Sequence, residues 1–573
     1  MAIGYLSFVL HGHLPWVLSH GYWPHGEVWL YEAASETYCP TLSLLTDFDE
    51  KKGFTDLLTL GLTPVLTEQL VDARFRTGFL KYLNERIEVS DKDTDEFTSS
   101  GNNEFAKLSR RWSQYYSSVR EQFTERFEQN LVKGYKSLQD KGVIEIITSG
   151  ITHGYLPLLG KEETVNAQIR GGQAVYKKRY SKNPSKGIWI PEMAYRPSYK
   201  WKNPVTGDKF DRKGIEYYFG LNDVKYSVIN TPLLNDGDDI GNNLEDSDVI
   251  QKIWKRSEKR KKIKQKERLS SYQPYLIAQT SKTQRKTAMF TRDNETGAIV
   301  WSGDIGFPGD QYYLEFHKKH FPSGNKYWRV TGSQVDLGEK AVYNPEKIVE
   351  RLDENSAHFT KIVKKTLLEY NNEHSKPGII VSPYDFELFG HWWFEGVGFL
   401  DCVISQFQDD DEYSTITCSN YLSEFPPSEK IAITLPEGSW GKGNFHWNWI
   451  NPETLWCWQK IYECEDSYLQ AIKEFKRKDA QDGLLKRILN QMGRELFLLS
   501  SSDWEFLIST YSARDYAEMR INTHYDSFQK LFSLYTAYTD SSTTKDVAIL
   551  EQLEKTDNIA SGEEVYEWFD IQE

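Results

Sequence analysis

The sequence has 573 residues, of which 39% are hydrophobic and 27% charged, so the chain can bury a large core and is not disordered throughout. Its formal net charge of −14 at pH 7 repels nucleic acids and anionic membranes, and neither is an expected partner. Five cysteines, odd in number and without CxxC spacing, indicate a reducing compartment, so we expect a cytoplasmic protein.

The first element is the apolar run IGYLSFVLHGHLP, which predicts a buried β-strand that ends on His11 and His13. No basic residues precede this run and no small-residue cleavage site follows it, which argues against a secretory signal. No apolar stretch of the chain is long enough to cross a bilayer. Because side chains at i and i+2 of a strand share a face, the two histidines should point the same way.

Three later apolar runs end on polar residues in the same manner: GVIEIITSGITHG, GIWIPEMAYRP and GIIVSPYDFELFG. Amphipathic patterns such as NEFAKLSRRWSQYYSSVREQFTERFEQNLVKGYKSL lie between the runs. Continuous apolar strands alternating with helices predict an α/β fold with a parallel sheet covered on both faces. Since catalytic groups of such folds lie at the carboxyl ends of the strands, His11, His13, His153, Glu192 and Asp385 are expected to meet there.

Two further segments differ from this alternation. Residues 233–271 are polar and then basic, with ten Lys or Arg against two Glu in residues 252–268, and a solvated surface loop explains them better than a nucleic-acid arm. From Asn451 the pattern becomes helical: Asn451 is suited to cap a helix, Pro452 to occupy its first turn, and apolar stripes follow. We therefore expect a mostly helical C-terminal region.

Glu192 and Asp385 are the candidate catalytic pair. A single loop carboxylate is far more often merely solvated, but two carboxylates at the ends of neighbouring strands are the arrangement that cleavage of a glycosidic bond requires. Aromatic residues make up 14% of the chain, and flat rings bind the apolar faces of sugars. Although any one tryptophan is more often core, Trp440, Trp447 and Trp449 lie in a Gly-rich, turn-rich stretch that favours a cleft.

A metal site is the main rival for these residues. His11, His13 and His153 with Asp385 could hold a divalent cation in a deacetylase-like or other metallohydrolase, yet no HExxH pattern supports it and lone histidines are usually structural donors. The sequence has no GxSxG, no P-loop and no GxGxxG after a strand, so neither a serine nucleophile nor a nucleotide cofactor is expected. We expect no metal and no organic cofactor.

Ordered motifs along the chain resemble glycoside hydrolase family 57 and, within it, the enzymes that branch 1,4-alpha-glucans. These motifs are HGHLPW, THGYLPLL, WIPEMAYRP, YDFELFGHWWFEG and EGSWGKGNFHWNWINPET, followed by RELFLLSSSDWEFLISTYSARDYAEMR in the helical part. They extend from residue 3 to about residue 531.

The resemblance implies an incomplete (β/α)7 barrel over residues 1–430, with a helical insertion near 85–140 and a mobile loop near 233–275, followed by a helical domain over 431–573. It also implies a retaining double displacement in which Glu192 is the nucleophile and Asp385 the general acid and base. The implied glucan-binding residues are His11, His13, His153, Trp301, Trp392, Trp440 and Trp449. Tyr272 or Tyr275 would lie on a loop that covers the intermediate.

This chain departs from the family pattern at its basic loop, at Gly303, and at Asn444 and Phe445. The expected activity is cleavage of an α-1,4 bond and transfer to a 6-hydroxyl of a glucan such as amylose or glycogen, by a monomer or weak oligomer. An α-amylase, a 4-alpha-glucanotransferase and an inactive glucan-binding protein remain alternatives.

Overall fold

The computed structural model describes residues 2–234, 269–278, 286–302, 306–428, 432–477, 481–541 and 547–571. The basic run at 252–268, Gly303 and most of the predicted mobile loop lie outside the described residues. None of the described helices is long and apolar enough to cross a membrane.

The strands in chain order are β1 Gly4–Gly12, β2 Leu58–Leu62, β3 Ile144–Ser149, β4 Gly187–Trp189, β5 Tyr199–Lys202, β6 Lys209–Arg212, β7 Tyr226–Ile229, β8 Tyr275–Ile277, β9 Ala288–Thr291, β10 Gly378–Asp385, β11 Tyr413–Thr415 and β12 Ala432–Ile433. The helices of the strand-bearing part are α1 Glu27–Ala33, α2 Cys39–Asp47, α3 Pro64–Val71, α4 Ala73–Ser99, α5 Asn103–Glu121, α6 Leu131–Asp140, α7 Glu162–Arg179, α8 Ile215–Leu221, α9 Thr231–Leu234, α10 Asn294–Trp301, α11 Ile348–His374, α12 Gly396–Gln408 and α13 Cys418–Glu424.

Parallel strands form the barrel in the order β10-β1-β2-β3-β4-β7-β9. A parallel bridge between Arg292, just after β9, and Val381 in β10 brings the two ends of this row together. Strand β8 pairs with β9 in antiparallel register and β12 extends the sheet beyond it. The predicted incomplete (β/α)7 barrel is confirmed, and its sheet runs on to Ile433.

The barrel strands are buried on both faces, which explains their continuous apolar sequences. Along β1, Phe8 and Leu10 join the core between strands and helices, whereas Val9 joins a smaller cluster with Trp189 and Val381 inside the barrel. This alternation fixes the register of β1, so its carboxyl end delivers His11 to the barrel mouth.

The helical insertion is formed by α4, α5 and α6 and begins at Ala73, earlier than the predicted residue 85. Asp72 caps α4, because its side chain accepts a hydrogen bond from the backbone N–H of Arg74. Upstream, helix α1 continues into α2 through a π-helical segment, Ala34–Tyr38, which packs beside the barrel mouth.

The helical C-terminal region consists of α14 Leu455–Arg477, α15 Gly483–Leu499, α16 Asp503–Thr510, α17 Arg514–Ser541 and α18 Ala548–Thr556. The turn between α15 and α16 contacts the barrel mouth: Ser501 Oγ donates to Thr152 O at 2.8 Å, and the Ser502 N–H donates to His153 O at 3.2 Å. The helical region is therefore joined directly to the loop after β3.

Candidate active site

A cavity of about 680 Å³ lies at the carboxyl ends of the barrel strands. Nine of the eleven predicted site residues line it, namely His11, His13, His153, Glu192, Trp301, Asp385, Trp392, Trp440 and Trp449. The sequence-based expectation that these strand ends converge on one place agrees with this geometry.

Glu192 follows β4 and Pro191 and has a left-handed backbone, with φ +60° and ψ 22°. Both oxygens of its carboxylate accept hydrogen bonds, Oε1 from Ser502 Oγ at 2.9 Å and Oε2 from Trp440 Nε1 at 2.7 Å. Burial raises the pKa of Glu192 to about 7, while the bonds from Trp440 and Ser502 oppose that rise. The carboxylate is thus fixed in orientation and remains able to ionise near neutral pH.

Asp385 is the last residue of β10, beside His11 in the parallel register. Burial raises its pKa well above the usual range, and the nearby charges of Glu387 and Glu192 raise it further, against the opposing effect of Arg292. At neutral pH this environment favours a protonated Asp385 beside an ionisable Glu192. Two carboxyl groups whose surroundings separate their proton affinities are suited to acid and nucleophile roles.

The histidines form one stacked group on the cavity wall. His11 Nε2 lies 3.0 Å from His153 Nε2, and the His13 and His153 rings stack at 4.0 Å. Burial lowers the pKa of His11 and His153 well below the usual range, so both are neutral at pH 7. His153 Nδ1 is hydrogen-bonded to Ser502 Oγ at 2.9 Å.

His13 differs from the other two histidines because it is paired with an acid. Its Nε2 lies 2.9 Å from Asp503 Oδ2. Burial alone would lower the pKa of His13, but the carboxylate of Asp503 raises it above the usual value. Its positive charge in turn favours the ionised form of Glu192. The histidines therefore bond to each other and to groups of the turn between α15 and α16, which leaves the rival metal arrangement without support from their contacts.

Sequence reasoning missed several groups of this cavity. Ser502 and Asp503 occupy the Ser-rich break between two amphipathic helices, and nothing in that pattern indicates that the turn reaches the barrel. Glu387 lies two residues beyond Asp385; its Oε1 accepts from the His13 N–H at 3.0 Å and from the Tyr38 hydroxyl. Burial raises the pKa of Glu387 to about 7. In the sequence, the only signal for Glu387 was its position two residues after Asp385, the candidate catalytic residue at the end of an apolar run.

The tryptophans differ in how they meet the cavity. Trp392 is 40% exposed and presents an open ring, and Trp440 lies against Trp189 and Glu192. Trp449 is fully buried and stacks on Tyr155 at 4.4 Å, so it supports the wall rather than offering an open face. Trp447, which the composition also suggested, does not line the cavity.

The two candidate lid tyrosines lie away from the cavity, which corrects the expectation that one of them covers it. Tyr275 belongs to β8 and pairs with Met289, near the start of β9. The carbonyl of Tyr272 accepts from the Ile379 N–H at 3.0 Å, near the start of β10, whereas the cavity opens at the far end of these strands. Pairing of β8 with β9, which the sequence does not encode visibly, fixes Tyr275 in the sheet, and the ring of Tyr272 packs against Tyr370 of α11.

The family model described as glycosyl hydrolase family 57 matches residues 7–434, and the model described as 1,4-alpha-glucan branching enzyme, C-terminal, matches residues 460–562. The chain is 39% identical to a 1,4-alpha-glucan branching enzyme of Thermococcus kodakarensis over 97% of this chain and 77% of the relative.

Solved structures give a consistent result. The GH57-type branching enzyme of Pyrococcus horikoshii superposes with a TM-score of 0.87 at 36% identity, covering 100% of this chain and 97% of that one. The alpha-amylase AmyC of Thermotoga maritima superposes with a TM-score of 0.80 at 26% identity, and each chain is covered completely.

Proposed function

The chain belongs to glycosyl hydrolase family 57, and on that premise we propose that it is a 1,4-alpha-glucan branching enzyme that works through Glu192 and Asp385. The match of residues 460–562 to the branching-enzyme C-terminal model favours branching over simple hydrolysis. The substrate is an alpha-glucan, which serves both as donor and as acceptor of the transferred chain.

One observation carries the assignment of the catalytic pair. Glu192 follows β4 and Asp385 ends β10, yet both line the same cavity and are close enough for the charge of Glu192 to raise the pKa of Asp385. Retaining cleavage of a glycosidic bond uses two carboxyl groups roughly 5–5.5 Å apart, one ionised and one protonated. The surroundings of the two residues favour that division of roles.

In the first step, the Glu192 carboxylate attacks the anomeric carbon of the donor while Asp385 gives its proton to the departing glycosidic oxygen. A glycosyl ester on Glu192 forms and a shortened glucan leaves. Because the ester carries no charge, one of the groups that raises the pKa of Asp385 is then gone. Asp385 is left as a carboxylate with a lower proton affinity than before.

In the second step, Asp385 accepts the proton of an acceptor's 6-hydroxyl as that oxygen attacks the anomeric carbon and the bond to Glu192 breaks. Two inversions leave the α configuration and place the chain on an α-1,6 linkage. The histidines line the position of the donor sugar and shape it chiefly through their rings, because their nitrogens, apart from His11 Nδ1, are bonded to one another or to Ser502, Asp503 and Thr63.

The experiment that tests this proposal is product analysis. The protein is incubated with amylose, and the product is treated with a debranching enzyme and separated by chain length. We expect new short chains released only after debranching. Reducing ends that rise in step with the loss of iodine staining, without debranchable chains, would instead identify an α-amylase.

The cellular setting is also part of the proposal. All five cysteines are free, and four of them are buried. Free thiols of this kind persist in a reducing compartment, which supports a cytoplasmic location. We further propose that the enzyme acts as a monomer or weak oligomer, to be measured by light scattering of the purified protein.

A further inference from the structure

His391 lines the cavity, and its hydrogen bonds to the protein are made by its backbone N–H and by one of its two ring nitrogens. Its backbone N–H donates to Thr37 Oγ1 at 3.1 Å, and its Nδ1 lies 3.0 Å from Glu36 Oε2. The ring also meets the edge of Phe316, with centroids 5.4 Å apart. Within the part of the chain that the structure describes, Nε2 has no protein hydrogen-bond partner, so this atom is available to a molecule in the cavity.

Glu36, which is bonded to the ring of His391, is itself buried and fixed in place. It lies in the π-helical segment Ala34–Tyr38, is 2% exposed, and accepts a second hydrogen bond from the buried Lys326 Nζ at 3.0 Å. Burial would raise its pKa, but Lys326 and His391 lower it to about 2, so Glu36 is ionised. A carboxylate at Nδ1 keeps a proton on that nitrogen, so Nε2 is the ring nitrogen that remains to bond with a molecule in the cavity.

Gly390, next to His391, allows the backbone to approach Glu36 closely. Gly390 has a φ of +117°, and a Cβ on it would lie 1.9 Å from the carbonyl oxygen of Glu36. Only glycine can occupy this position without moving one of the two segments. The turn that follows β10 and the π-helical segment are thus fitted together, and His391 has little freedom to move.

The position of His391 along the chain indicates which sugar it meets. In a retaining reaction, the oxygen that departs in the first step and the oxygen that attacks in the second occupy the same place, beside the acid and base. The segment from Asp385 to Trp392 forms one wall, whereas Ser502 and Trp440 hold Glu192 on another. The sugar that brings the attacking hydroxyl therefore lies against the wall that carries His391.

We propose that His391 binds the acceptor glucan, its Nε2 forming a hydrogen bond with a hydroxyl of the acceptor sugar while the half-exposed Trp392 supports that sugar's apolar face. This inference rests on the proposed branching function and specifies its acceptor site. Glu36 and Lys326 are positioning residues, because they act only through the ring of His391.

The bound acceptor presents its 6-hydroxyl to the glycosyl ester. The acceptor O6 forms a bond to the anomeric carbon, the bond from that carbon to the Glu192 oxygen breaks, and the hydroxyl proton passes to Asp385. His391 exchanges no proton in this step; it orients the sugar so that O6, rather than water, reaches the anomeric carbon.

The test separates the two half-reactions in the full-length protein. With 4-nitrophenyl α-maltopentaoside, release of nitrophenol reports formation of the intermediate, for which no sugar is needed on the acceptor side. With amylose, debranchable chains report transfer. We expect His391→Ala to lower the ratio of transfer to hydrolysis about tenfold, as loss of one hydrogen bond allows, while nitrophenol release changes less than about twofold.

Two further variants show whether the effect of His391→Ala comes from the lost hydrogen bond or from misfolding. His391→Gln keeps a hydrogen-bond acceptor and should recover part of the transfer, and His374→Ala at the end of α11 should behave as the unaltered protein. Equal losses of nitrophenol release and transfer in His391→Ala, or an unchanged product ratio, would overturn the inference. If the unaltered protein makes no debranchable chains at all, the proposed function itself fails, which is a distinct outcome.

Discussion

The carboxylate of Glu192 raises the proton affinity of Asp385, although one residue follows β4 and the other ends β10. At neutral pH these surroundings favour a protonated Asp385 beside a Glu192 that can ionise, so replacing either residue should stop the proposed reaction.

Glu192→Gln removes the proposed nucleophile and should lower turnover of amylose by roughly 10⁴-fold or more, since the amide cannot form the glycosyl ester. Initial rates with amylose are the measurement. Glu465→Gln is the matched control: Glu465 is another buried carboxyl whose pKa is raised to about 7, but it lies on α14, away from the cavity. Substantial turnover in Glu192→Gln would remove this residue from the mechanism.

Ser502→Ala should shift the acidic limb of the pH–activity profile to higher pH. The hydroxyl of Ser502 donates to the charged form of Glu192 and so lowers its pKa below the value that burial alone would give. Without that bond the carboxylate is protonated at a higher pH, and activity falls earlier as the pH decreases. Profiles of kcat/KM for both proteins check this, and an acidic limb at the same pH in both would contradict it.

Glu387→Gln should shift the basic limb of the pH–activity profile. The negative charge of Glu387 raises the pKa of Asp385, so its removal lets Asp385 lose its proton at a lower pH. The basic limb of the profile is expected to move to lower pH while the amide oxygen keeps the bonds from Tyr38 and the His13 N–H. A basic limb that stays in place would show that Asp385 does not set it.

Trp440→Phe separates stacking from hydrogen bonding. The phenyl ring preserves a flat surface, but the bond from Nε1 to Glu192 Oε2 is lost. A hydrogen bond to a charged group contributes about 1.5–3 kcal/mol, so kcat should fall roughly 10- to 100-fold. Steady-state kinetics with a maltooligosaccharide provide the measurement. A change confined to KM would instead mean that Trp440 serves only as a sugar platform.

Gly390→Ala should destabilise the protein, because its Cβ would collide with the carbonyl of Glu36 at a left-handed backbone position. We expect a loss of about 3 kcal/mol or more in the free energy of unfolding, measured by urea titration followed by tryptophan fluorescence. Gly338→Ala is the control, since no atom lies within 4 Å of its Cβ position. Equal stability of the two variants would show that the turn can relax away from the π-helical segment.

The sequence predicts the structure best where burial on both faces of a strand determines the residue types. The apolar runs that end at His11, Glu192 and Asp385 are buried on both faces, so continuous hydrophobicity identifies the strands and parallel pairing brings their ends together. The catalytic candidates and the cavity histidines could be predicted for that reason, whereas about two thirds of the residues that line the cavity were not predicted.

Other parts depend on tertiary contacts that leave little trace in local sequence. Ser502 and Asp503 reach the site because two packed helices end beside the loop after β3, and amphipathic periodicity does not specify which loop a helix end meets. Tyr275 was misplaced because its antiparallel pairing with β9 follows a long polar segment. Whether Trp449 is a platform or a wall residue depends on its stacking with Tyr155, which composition cannot distinguish.

The hydrogen bond from Ser502 to Glu192 has a consequence for how the enzyme is made. The proposed nucleophile, Glu192, follows the fourth strand, yet one of its oxygens is held by a residue encoded more than three hundred positions later. During synthesis, a nascent chain that has already formed its barrel still lacks a fully oriented nucleophile. The chain is thus expected to reach its full activity at neutral pH only after translation has passed the turn before α16 and the helices have docked.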